Sequence, residues 1–261
     1  MRLDDVTPVI LTYNEEANIG RVVARLAWAK EVIVVDSFST DRTLAILREF
    51  PNVRVVQRSF EGHATQWQYA VAEGGIATPW VLGLDADLML AEEAPVEIEA
   101  LAPGVEIAGY SARFRYCVQG HPLPRSIFPD RIVLFRKDRV SFRQDGHAHR
   151  VSVAGTVQLL RTLIDHDDRK PLSRWVCAQD GYARLERDKL LVARPGELLG
   201  PDRVRARRWL APVAVLLYCL FIKRLILAGL PGWHYTYQRV MAEVLLSLYL
   251  IEESLAKREA G

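Results

Sequence analysis

Two aspartates separated by one residue, Asp85 and Asp87, follow an apolar run at residues 80–84. A buried strand that ends in paired carboxylates is a common place for an open α/β sheet to bind a metal ion and a charged ligand. The spacing alone is a weak signal, because Asp-x-Asp is expected about once by chance in a chain of this length, and Asp165-His166-Asp167 repeats it. The elements around the pair therefore have to decide its role.

Polar side chains follow the other apolar runs of the amino-terminal part in the same way. Residues 9–11 precede Thr12-Tyr13-Asn14-Glu15, and residues 32–35 precede Asp36. Segments with apolar residues at helical spacing separate these runs, which predicts a parallel sheet with helices on both faces. Because the carboxyl ends of such strands share one crevice, we expect these polar residues to face one ligand.

The phosphate-binding motifs that are missing narrow the class of ligand. No Gly-x-Gly-x-x-Gly and no Gly-Lys-Ser/Thr follows these strands, which argues against dinucleotide enzymes and P-loop phosphotransferases. Carboxylates suit Mg²⁺ or Mn²⁺, and such a metal can neutralise a leaving diphosphate. A nucleotide with its base near Asp36 and its diphosphate at the aspartates fits this crevice. The alternative is that Asp36, Asp85 and Asp87 only cap strands and form turns.

Three ordered segments resemble the successive signatures of family 2 inverting glycosyltransferases with the GT-A fold. They are PVILTYNEE at residues 8–16, VVDSFSTDRT at residues 34–43 and LDAD at residues 84–87. The resemblance extends over about residues 6–180 and is closest to bacterial enzymes similar to the glucosyltransferases of lipopolysaccharide core synthesis. It implies a Rossmann-like mixed sheet with helices on both faces. It also implies transfer of a sugar from a nucleotide-diphospho-sugar.

The same resemblance assigns roles to individual residues. It implies that Asp87 binds a divalent metal, Mg²⁺ or Mn²⁺, which bridges the diphosphate, and that Asp85 lies near the ribose or the metal. It places the nucleotide base, uracil or another, among Thr12, Tyr13, Glu15 and Asp36. The donor half of the site is thus assigned almost completely.

The general base is less well determined, although an inverting transfer needs a group that removes a proton from the acceptor hydroxyl. The family's acceptor-facing half follows the aspartate pair, where residues 108–116 and 132–136 resemble strands of a mixed sheet edge. Relatives usually carry Glu-Asp or His-Glu at this distance, and the segment QDGHAHR at residues 144–150 has neither. We predict Asp145 as the base, with His147 or His149 as the alternatives.

A cluster of acidic and basic residues precedes the next predicted helix, in IDHDDRKPLSRW at residues 164–175. By resemblance this is the diphosphate-binding or acceptor-binding segment. His166 would complete the metal shell, and Arg169, Lys170 and Arg174 would neutralise phosphate oxygens. Pro171 stands where processive relatives have the Gln of Gln-x-x-Arg-Trp, so polymerisation is not expected. The alternative is a capped helix start with exposed charges.

The carboxyl-terminal part changes in composition. Four arginines at positions 203–208 precede an apolar run of fourteen residues, 209–222, which is shorter than the roughly twenty that cross a bilayer. Lys223-Arg224 interrupts the run, and Pro231-Gly232-Trp233 is predicted to close it. A basic, aromatic-flanked apolar segment suits the surface of an anionic cytoplasmic leaflet or a re-entrant hairpin. The alternative is a buried helix pair that packs on the catalytic domain or on another subunit.

The overall composition fits an ordinary globular protein, with 50% hydrophobic and 25% charged residues. A net charge of +2 does not favour nucleic acid as a partner. Three widely spaced cysteines favour neither a disulfide framework nor a zinc site, so a reducing cytoplasm is expected. The amino terminus carries no secretory signal pattern.

These observations and the resemblance together predict a metal-dependent inverting enzyme that transfers a sugar to a lipopolysaccharide, glycolipid or lipid-linked acceptor. The sugar we expect is glucose, from UDP-glucose. The predicted location is the cytoplasmic face of the inner membrane, with peripheral or monotopic attachment. We expect a catalytic domain at residues 1–165, a helical extension at 166–200 and a membrane-associating tail at 201–261. The alternatives are a polyprenyl-phosphate sugar transferase of the same fold and an inactive nucleotide-sugar-binding scaffold.

Overall fold

A computed structural model describes residues 1–259 apart from positions 147, 195, 197 and 199. The chain divides into two compact units. The first contains residues 1–120, 128–144 and 149–170, and the second contains residues 121–127, 145–148 and the chain from residue 171 onward. The finer division at residues 165 and 200 stays a prediction.

The strands are β1 (Val6–Thr12), β2 (Val32–Asp36), β3 (Val53–Gln57), β4 (Trp80–Asp85), β5 (Leu88–Leu90), β6 (Ile107–Ala112), β7 (Phe114–Val118), β8 (His121–Pro122), β9 (Arg131–Arg136), β10 (Val140–Asp145), β11 (Ala148–Val153), β12 (Thr156–Leu159) and β13 (Ile164–His166). The helices are α1 (Ile19–Ala24), α2 (Thr43–Leu47), α3 (His63–Glu73), α4 (Ala94–Ala100), α5 (Leu172–Val192), α6 (Gly200–Arg205), α7 (Leu210–Leu217) and α8 (Gly229–Glu259). Short 3-10 turns cover Leu3–Asp5, Lys137–Arg139 and Leu225–Ala228, and a π-helical turn covers Tyr218–Ile222.

The first unit is built on a seven-stranded mixed sheet with the order β12-β6-β9-β4-β1-β2-β3. Strands β4, β1, β2 and β3 are parallel, whereas β9 runs antiparallel to both β4 and β6. The mixed α/β sheet predicted from the sequence is therefore confirmed. The register sets Thr12 beside Asp36 and Leu11 beside Asp85, so the ends of three neighbouring strands lie side by side.

Both faces of the parallel half are covered, which explains the runs of apolar residues at 9–11, 32–35 and 80–82 in β1, β2 and β4. Ile10 and Val34 lie on one face in a cluster with Ile19 of α1, while Val9 lies on the other face with Trp67 of α3. These five side chains are almost fully buried. The core thus fixes the direction of the strands, and the strand ends carry the polar residues.

A smaller sheet brings the second Asp-x-Asp segment next to the first. Strand β13 lies between β5 and β7, antiparallel to β5 and parallel to β7. His166 of β13 is paired with Leu88, the residue that follows Asp87. This non-local pairing places His166 beside Asp87 although 79 positions separate them in the sequence.

The second unit is mainly helical, with α5 and α7 both packed against α8. The end of the apolar segment was predicted wrongly. Pro231 lies in the first turn of α8, which begins at Gly229, because a proline in the first turn of a helix removes no intrahelical hydrogen bond. Among the described residues, no single helix is long and apolar enough to cross a membrane. Leu210–Ile222 and Leu225–Lys257, which meet at a bend of 68°, meet the criteria of length and composition only as a pair.

Candidate functional site

Two loops at the ends of β1 and β2 are tied together by side-chain hydrogen bonds. Asn14 adopts a left-handed conformation with φ 54°, and its Oδ1 accepts hydrogen bonds from the backbone N–H groups of Thr40 (2.7 Å) and Asp41 (3.3 Å). Its own N–H donates to Ser39 Oγ at 2.8 Å. The loops are therefore held in one arrangement by the short polar residues that the sequence motifs contain.

Asp36 is fully buried at the end of β2. Its carboxylate accepts hydrogen bonds from the Ser39 N–H (2.9 Å), the Ser39 hydroxyl (2.5 Å) and Gln57 Nε2 (3.1 Å). Thr12 lies beside it in the register and is also buried, and its hydroxyl has no hydrogen-bond partner among the described residues. Asp36 thus shapes the loop, and Thr12 Oγ1 retains hydrogen-bonding capacity.

Two exposed aromatic side chains stand on these loops, one on each. Tyr13 is 54% exposed and Phe38, which has φ 60°, is 51% exposed. Tyr13 was predicted to be near the nucleotide base, whereas Phe38 was missed. A bulky residue at positive φ is uncommon, so the position of Phe38 is a feature that only the backbone geometry reveals.

Asp87 and His166 form the centre of the candidate site. The distance between His166 Nε2 and Asp87 Oδ2 is 3.5 Å. The imidazole stacks on Tyr116, with ring centroids 4.7 Å apart, and its Nδ1 is buried without a hydrogen-bond partner among the described residues. Burial raises the pKa of Asp87, with Asp85 and Asp168 adding to it and His166 and Lys170 opposing it. A cation at this position would offset the cost of that buried charge.

Asp85 differs from Asp87 because it has a strong cationic partner. Arg131 Nη1 of β9 donates to Asp85 Oδ2 at 3.0 Å, and the same guanidinium lies 4.7 Å from the centroid of the Phe128 ring. Burial opposes ionisation, but Arg131, assisted by nearby histidines, lowers the pKa of Asp85 below its usual value. The two aspartates of one motif therefore have opposite electrostatic environments. Arg131 was missed because nothing in the sequence pattern connects it with the motif.

Lys170 joins the first loop to the end of the first unit. Its Nζ lies 2.5 Å from Glu15 Oε1 and 3.6 Å from Asp168 Oδ2. The Asn18 amide donates to both carboxylates at 2.8 Å. Burial raises the pKa of Glu15 to about 7, with Asp87 contributing and Lys170 and Asn18 opposing. The charges of Glu15, Asp87 and Asp168 outweigh burial at Lys170 and raise its pKa.

The other charged residues of the second Asp-x-Asp segment are engaged in ion pairs. Asp165 accepts two hydrogen bonds from Arg115, at 2.7 and 2.8 Å. Asp167 accepts from Arg21 Nη1 at 2.9 Å and from Arg169 Nε at 2.8 Å. The predicted phosphate contact Arg169 is thus bound to a carboxylate in the first unit. Arg174 lies exposed in the first turn of α5, in the second unit.

The predicted base and its alternatives lie in different surroundings. Asp145 belongs to the second unit, where its Oδ1 lies 2.9 Å from Lys189 Nζ. His149 belongs to the first unit and packs with its ring centroid 6.0 Å from those of Trp67 and His63. Burial lowers the pKa of His149 to about 4, which leaves the imidazole neutral near pH 7. His147 lies outside the described residues.

The described residues contain no group of three or more His, Cys, Asp or Glu side chains that could hold a metal ion by themselves. Asp87 and His166 form a pair of donors, while Asp85 points to Arg131. A pair of protein donors fits a metal that takes its remaining ligands from substrate phosphates and water, as Mg²⁺ commonly does. A bound cation would also favour the charged form of Asp87, whose pKa burial raises.

Comparison with known proteins assigns the family. The family model described as "Glycosyl transferase family 2" matches residues 7–161, more than half of the chain. The chain belongs to glycosyl transferase family 2. The matched segment contains the ends of β1, β2 and β4 together with Asp145 and His149, and it ends before His166, Arg169, Lys170 and Arg174.

Two curated relatives illustrate the range of similarity. The lipopolysaccharide core biosynthesis glycosyltransferase LpsC of Rhizobium meliloti is 32% identical over 118 residues, which are 43% of either chain. An uncharacterized glycosyltransferase of Rickettsia prowazekii, RP128, is 26% identical over 87% of this chain and 80% of its own length. The match to LpsC thus spans less than half of that protein.

A solved structure supports the fold. The crystal structure of S. aureus TarS 1-349 in complex with UDP-GlcNAc superimposes with a TM-score of 0.50 and 13% sequence identity, over 97% of this chain and 92% of the TarS chain. At this identity the likeness concerns the fold alone. It agrees with the GT-A architecture that the sequence motifs predicted.

Proposed function

We propose that this protein is a metal-dependent inverting glycosyltransferase that transfers glucose from UDP-glucose to a lipopolysaccharide-type or other lipid-linked acceptor. Membership of glycosyl transferase family 2 supports sugar transfer from a nucleotide-sugar. The similarity to LpsC supports a lipopolysaccharide-type acceptor. The proposed location is the cytoplasmic face of the inner membrane, with peripheral or monotopic attachment by the carboxyl-terminal tail.

The observation that carries this proposal is the pairing of Asp87 with His166 at the end of β4, 3.5 Å apart. These side chains would hold Mg²⁺ or Mn²⁺, which supplies positive charge to the leaving diphosphate. Lys170, whose charge lowers the pKa of Asp87, adds a second positive charge to the proposed site. The metal ion and Lys170 would thus stabilise the negative charge that develops on the leaving diphosphate.

The donor's nucleoside is assigned to the tied loops at the ends of β1 and β2. The Thr12 hydroxyl is available as a buried hydrogen-bonding group, and Tyr13 offers an exposed aromatic ring for stacking. Asp85 and Arg131 form an ion pair at the next strand end, next to the position proposed for the ribose. Asp145 is retained as the proposed base, a carboxylate in ion-pair distance of Lys189.

The Asp87→Asn variant tests the proposal because it removes the charge with little change in shape. With purified protein, UDP-glucose and Mn²⁺, transfer to lipopolysaccharide core acceptor is expected to fall by about 10²–10³-fold. Asp165→Asn is the matched control, since Asp165 belongs to the second Asp-x-Asp and pairs with Arg115. It should retain the parent rate.

The acceptor and the class of protein are read in the same assay. Transfer to a polyprenyl phosphate in place of a sugar hydroxyl would assign the lipid-phosphate reaction instead. If the parent neither transfers glucose nor hydrolyses UDP-glucose with Mn²⁺, the protein is a binding scaffold. An Asp87→Asn protein with the parent rate would refute the role of the Asp87 site.

A further inference from the structure

The carboxyl-terminal unit contains a long segment without acidic residues. Residues 203–242 include seven Arg or Lys and no Asp or Glu, although the whole chain carries a net charge of only +2. Arg205 is paired with Glu243, whereas Arg203, Arg207 and Arg208 are exposed. The positive charge of the protein is therefore concentrated on the helices that also contain its most apolar segment.

The bend between α7 and α8 exposes large apolar side chains. Phe221 and Ile222 are 58% and 63% exposed, and Leu227 and Leu230 are 82% and 86% exposed. We call these four residues the apolar tip. Neighbouring side chains point inward instead, since Cys219, Leu220 and Leu225 are buried. The segment is therefore divided between side chains that pack in the core and large apolar side chains that are exposed.

The backbone of the bend holds this arrangement. Arg224 has φ 55° and Gly229 has φ 62°, both in the left-handed region, and the helical segments on either side meet at 68°. In the sequence, Lys223 and Arg224 lie between the two halves of the apolar tip. The Lys223 ammonium lies 5.5 Å from the centroid of the Tyr218 ring. Long basic side chains can keep their charges at a polar surface while apolar neighbours are inserted below it.

We propose that the apolar tip inserts into the headgroup region of an anionic lipid bilayer and that Lys223 and Arg224 bind its lipid phosphates. The inference rests on the membrane location proposed above and names the contact surface. Charge complementarity selects this occupant, because exposed apolar residues interleaved with cations and lacking acids match an anionic leaflet. The partly exposed Trp233 and the exposed Trp209 and Tyr237 belong to the aromatic type that prefers the same interface.

The test is cosedimentation of the full chain with phosphatidylcholine vesicles, with and without phosphatidylglycerol. The parent should bind the anionic vesicles and bind phosphatidylcholine alone weakly. Leu227→Glu/Leu230→Glu should reduce partition into the vesicles about 100-fold or more, because two leucines that insert into the bilayer are lost. Lys223→Glu/Arg224→Glu should reduce it at least about 30-fold. Arg224, Leu227 and Leu230 are exposed and Lys223 is half-buried, so thermal unfolding of both variants should stay close to that of the parent.

Two control variants separate the location from general properties. Val192→Glu at the end of α5 places an acid at an equally exposed apolar residue, 84% exposed. Arg48→Glu/Arg143→Glu changes the net charge as much as the basic pair does, at exposed arginines of the first unit. Both should bind anionic vesicles within about threefold of the parent.

The outcomes distinguish this inference from the proposed function. If the parent and the variants of the apolar tip bind vesicles equally well, the inference is overturned while the proposed membrane location remains. A parent that binds no vesicles would overturn both. If light scattering shows a dimer that the leucine variants dissociate, and vesicles do not bind, a second copy covers the tip. Sugar transfer to a water-soluble acceptor reports on the catalytic proposal independently.

Discussion

At the scale of single residues, Lys170 is the cation that offsets a concentration of negative charge. Glu15, Asp87 and Asp168 all raise its pKa, and its Nζ lies within 4 Å of two of these carboxylates. Glu15 nevertheless has a pKa of about 7 against an ordinary 4.5. The folded protein thus keeps a proton that the unfolded chain releases above pH 4.5. Its stability falls as pH rises from 4.5 through 7.

Lys170→Met should make this loss of stability with rising pH larger. The substitution removes the charge that partly opposes the effect of burial on the pKa of Glu15 and Asp87. We expect a loss of about 3–5 kcal/mol in the free energy of unfolding at pH 8 and a smaller loss at pH 5, where protonation relieves the buried carboxylates. Urea denaturation at the two pH values measures both. Lys30→Met is the control, since the Lys30–Asp4 pair is on the surface, and it should change neither value measurably. Equal losses at pH 5 and pH 8 would contradict this account.

The proposed base is tested by Asp145→Asn. If Asp145 accepts the proton of the acceptor hydroxyl, kcat should drop by about 10²–10⁴-fold while the KM for the donor is unchanged. If Asp145 had only a structural role, the substitution would not lower kcat selectively while the KM for the donor stays unchanged. In this variant Lys189 keeps Asp202 as an ion-pair partner, at 3.1 Å. Turnover equal to that of the parent would exclude Asp145 as the base and leave His147 and His149 as the alternatives.

The sequence pattern predicted which strand ends carry the polar residues, because residues that follow an apolar run are recognised from local sequence. Thr12, Asp36 and Asp85 follow apolar runs, and the register confirms that these strand ends are neighbours. Arg131 and Asn18 were missed because their partners are distant in the sequence. Asp85 lies 46 positions from Arg131 and Asp168 lies 150 positions from Asn18, and no periodic pattern connects them. Side-chain partners of this kind depend on the packing of the whole unit.

At the scale of elements, the sequence predicted best where an element is buried on both faces. Strands β1, β2 and β4 each contain a run of apolar residues, which is typical of parallel strands covered on both faces. The short strand β13 pairs with β5 and β7 through contacts distant in sequence, so its place was not predictable. The prediction at Pro231 was wrong because proline breaks a helix when it lies in the interior but is tolerated in the first turn.

Two glycines give opposite predictions that depend on the element around them. Gly181 lies inside α5 with no atom within 4 Å of an added Cβ, so Gly181→Ala should stabilise the protein by about 0.5–1 kcal/mol through helix propensity. Gly155 follows β11 with φ 149°, and an added Cβ would lie 2.7 Å from the Glu106 carbonyl oxygen. Gly155→Ala should cost about 1–3 kcal/mol. Thermal unfolding compares the two, and the same sign for both would refute this reading.

At the scale of the whole molecule, the chain combines a segment that matches glycosyl transferase family 2 with a carboxyl-terminal segment of different composition. The family match ends at residue 161, whereas the basic and apolar surface begins at residue 203. Composition averaged over the chain hides this contrast, since a net charge of +2 gives no sign of a cationic surface. Charge counted along the chain reveals it. Catalysis and attachment can therefore be tested separately.

The donor proposal predicts a selective effect of ligands on thermal stability. A ligand that binds the folded state at about 100 times its Kd adds about 2.7 kcal/mol, which for a chain of this size raises Tm by about 5–10 °C. UDP-glucose with Mn²⁺ should produce this shift, and GDP- and dTDP-sugars should produce less. EDTA should remove most of it, because the diphosphate then faces Asp87 without a bridging cation. In Asp87→Asn the shift should no longer depend on Mn²⁺, whereas an unchanged dependence on Mn²⁺ would place the metal away from the end of β4.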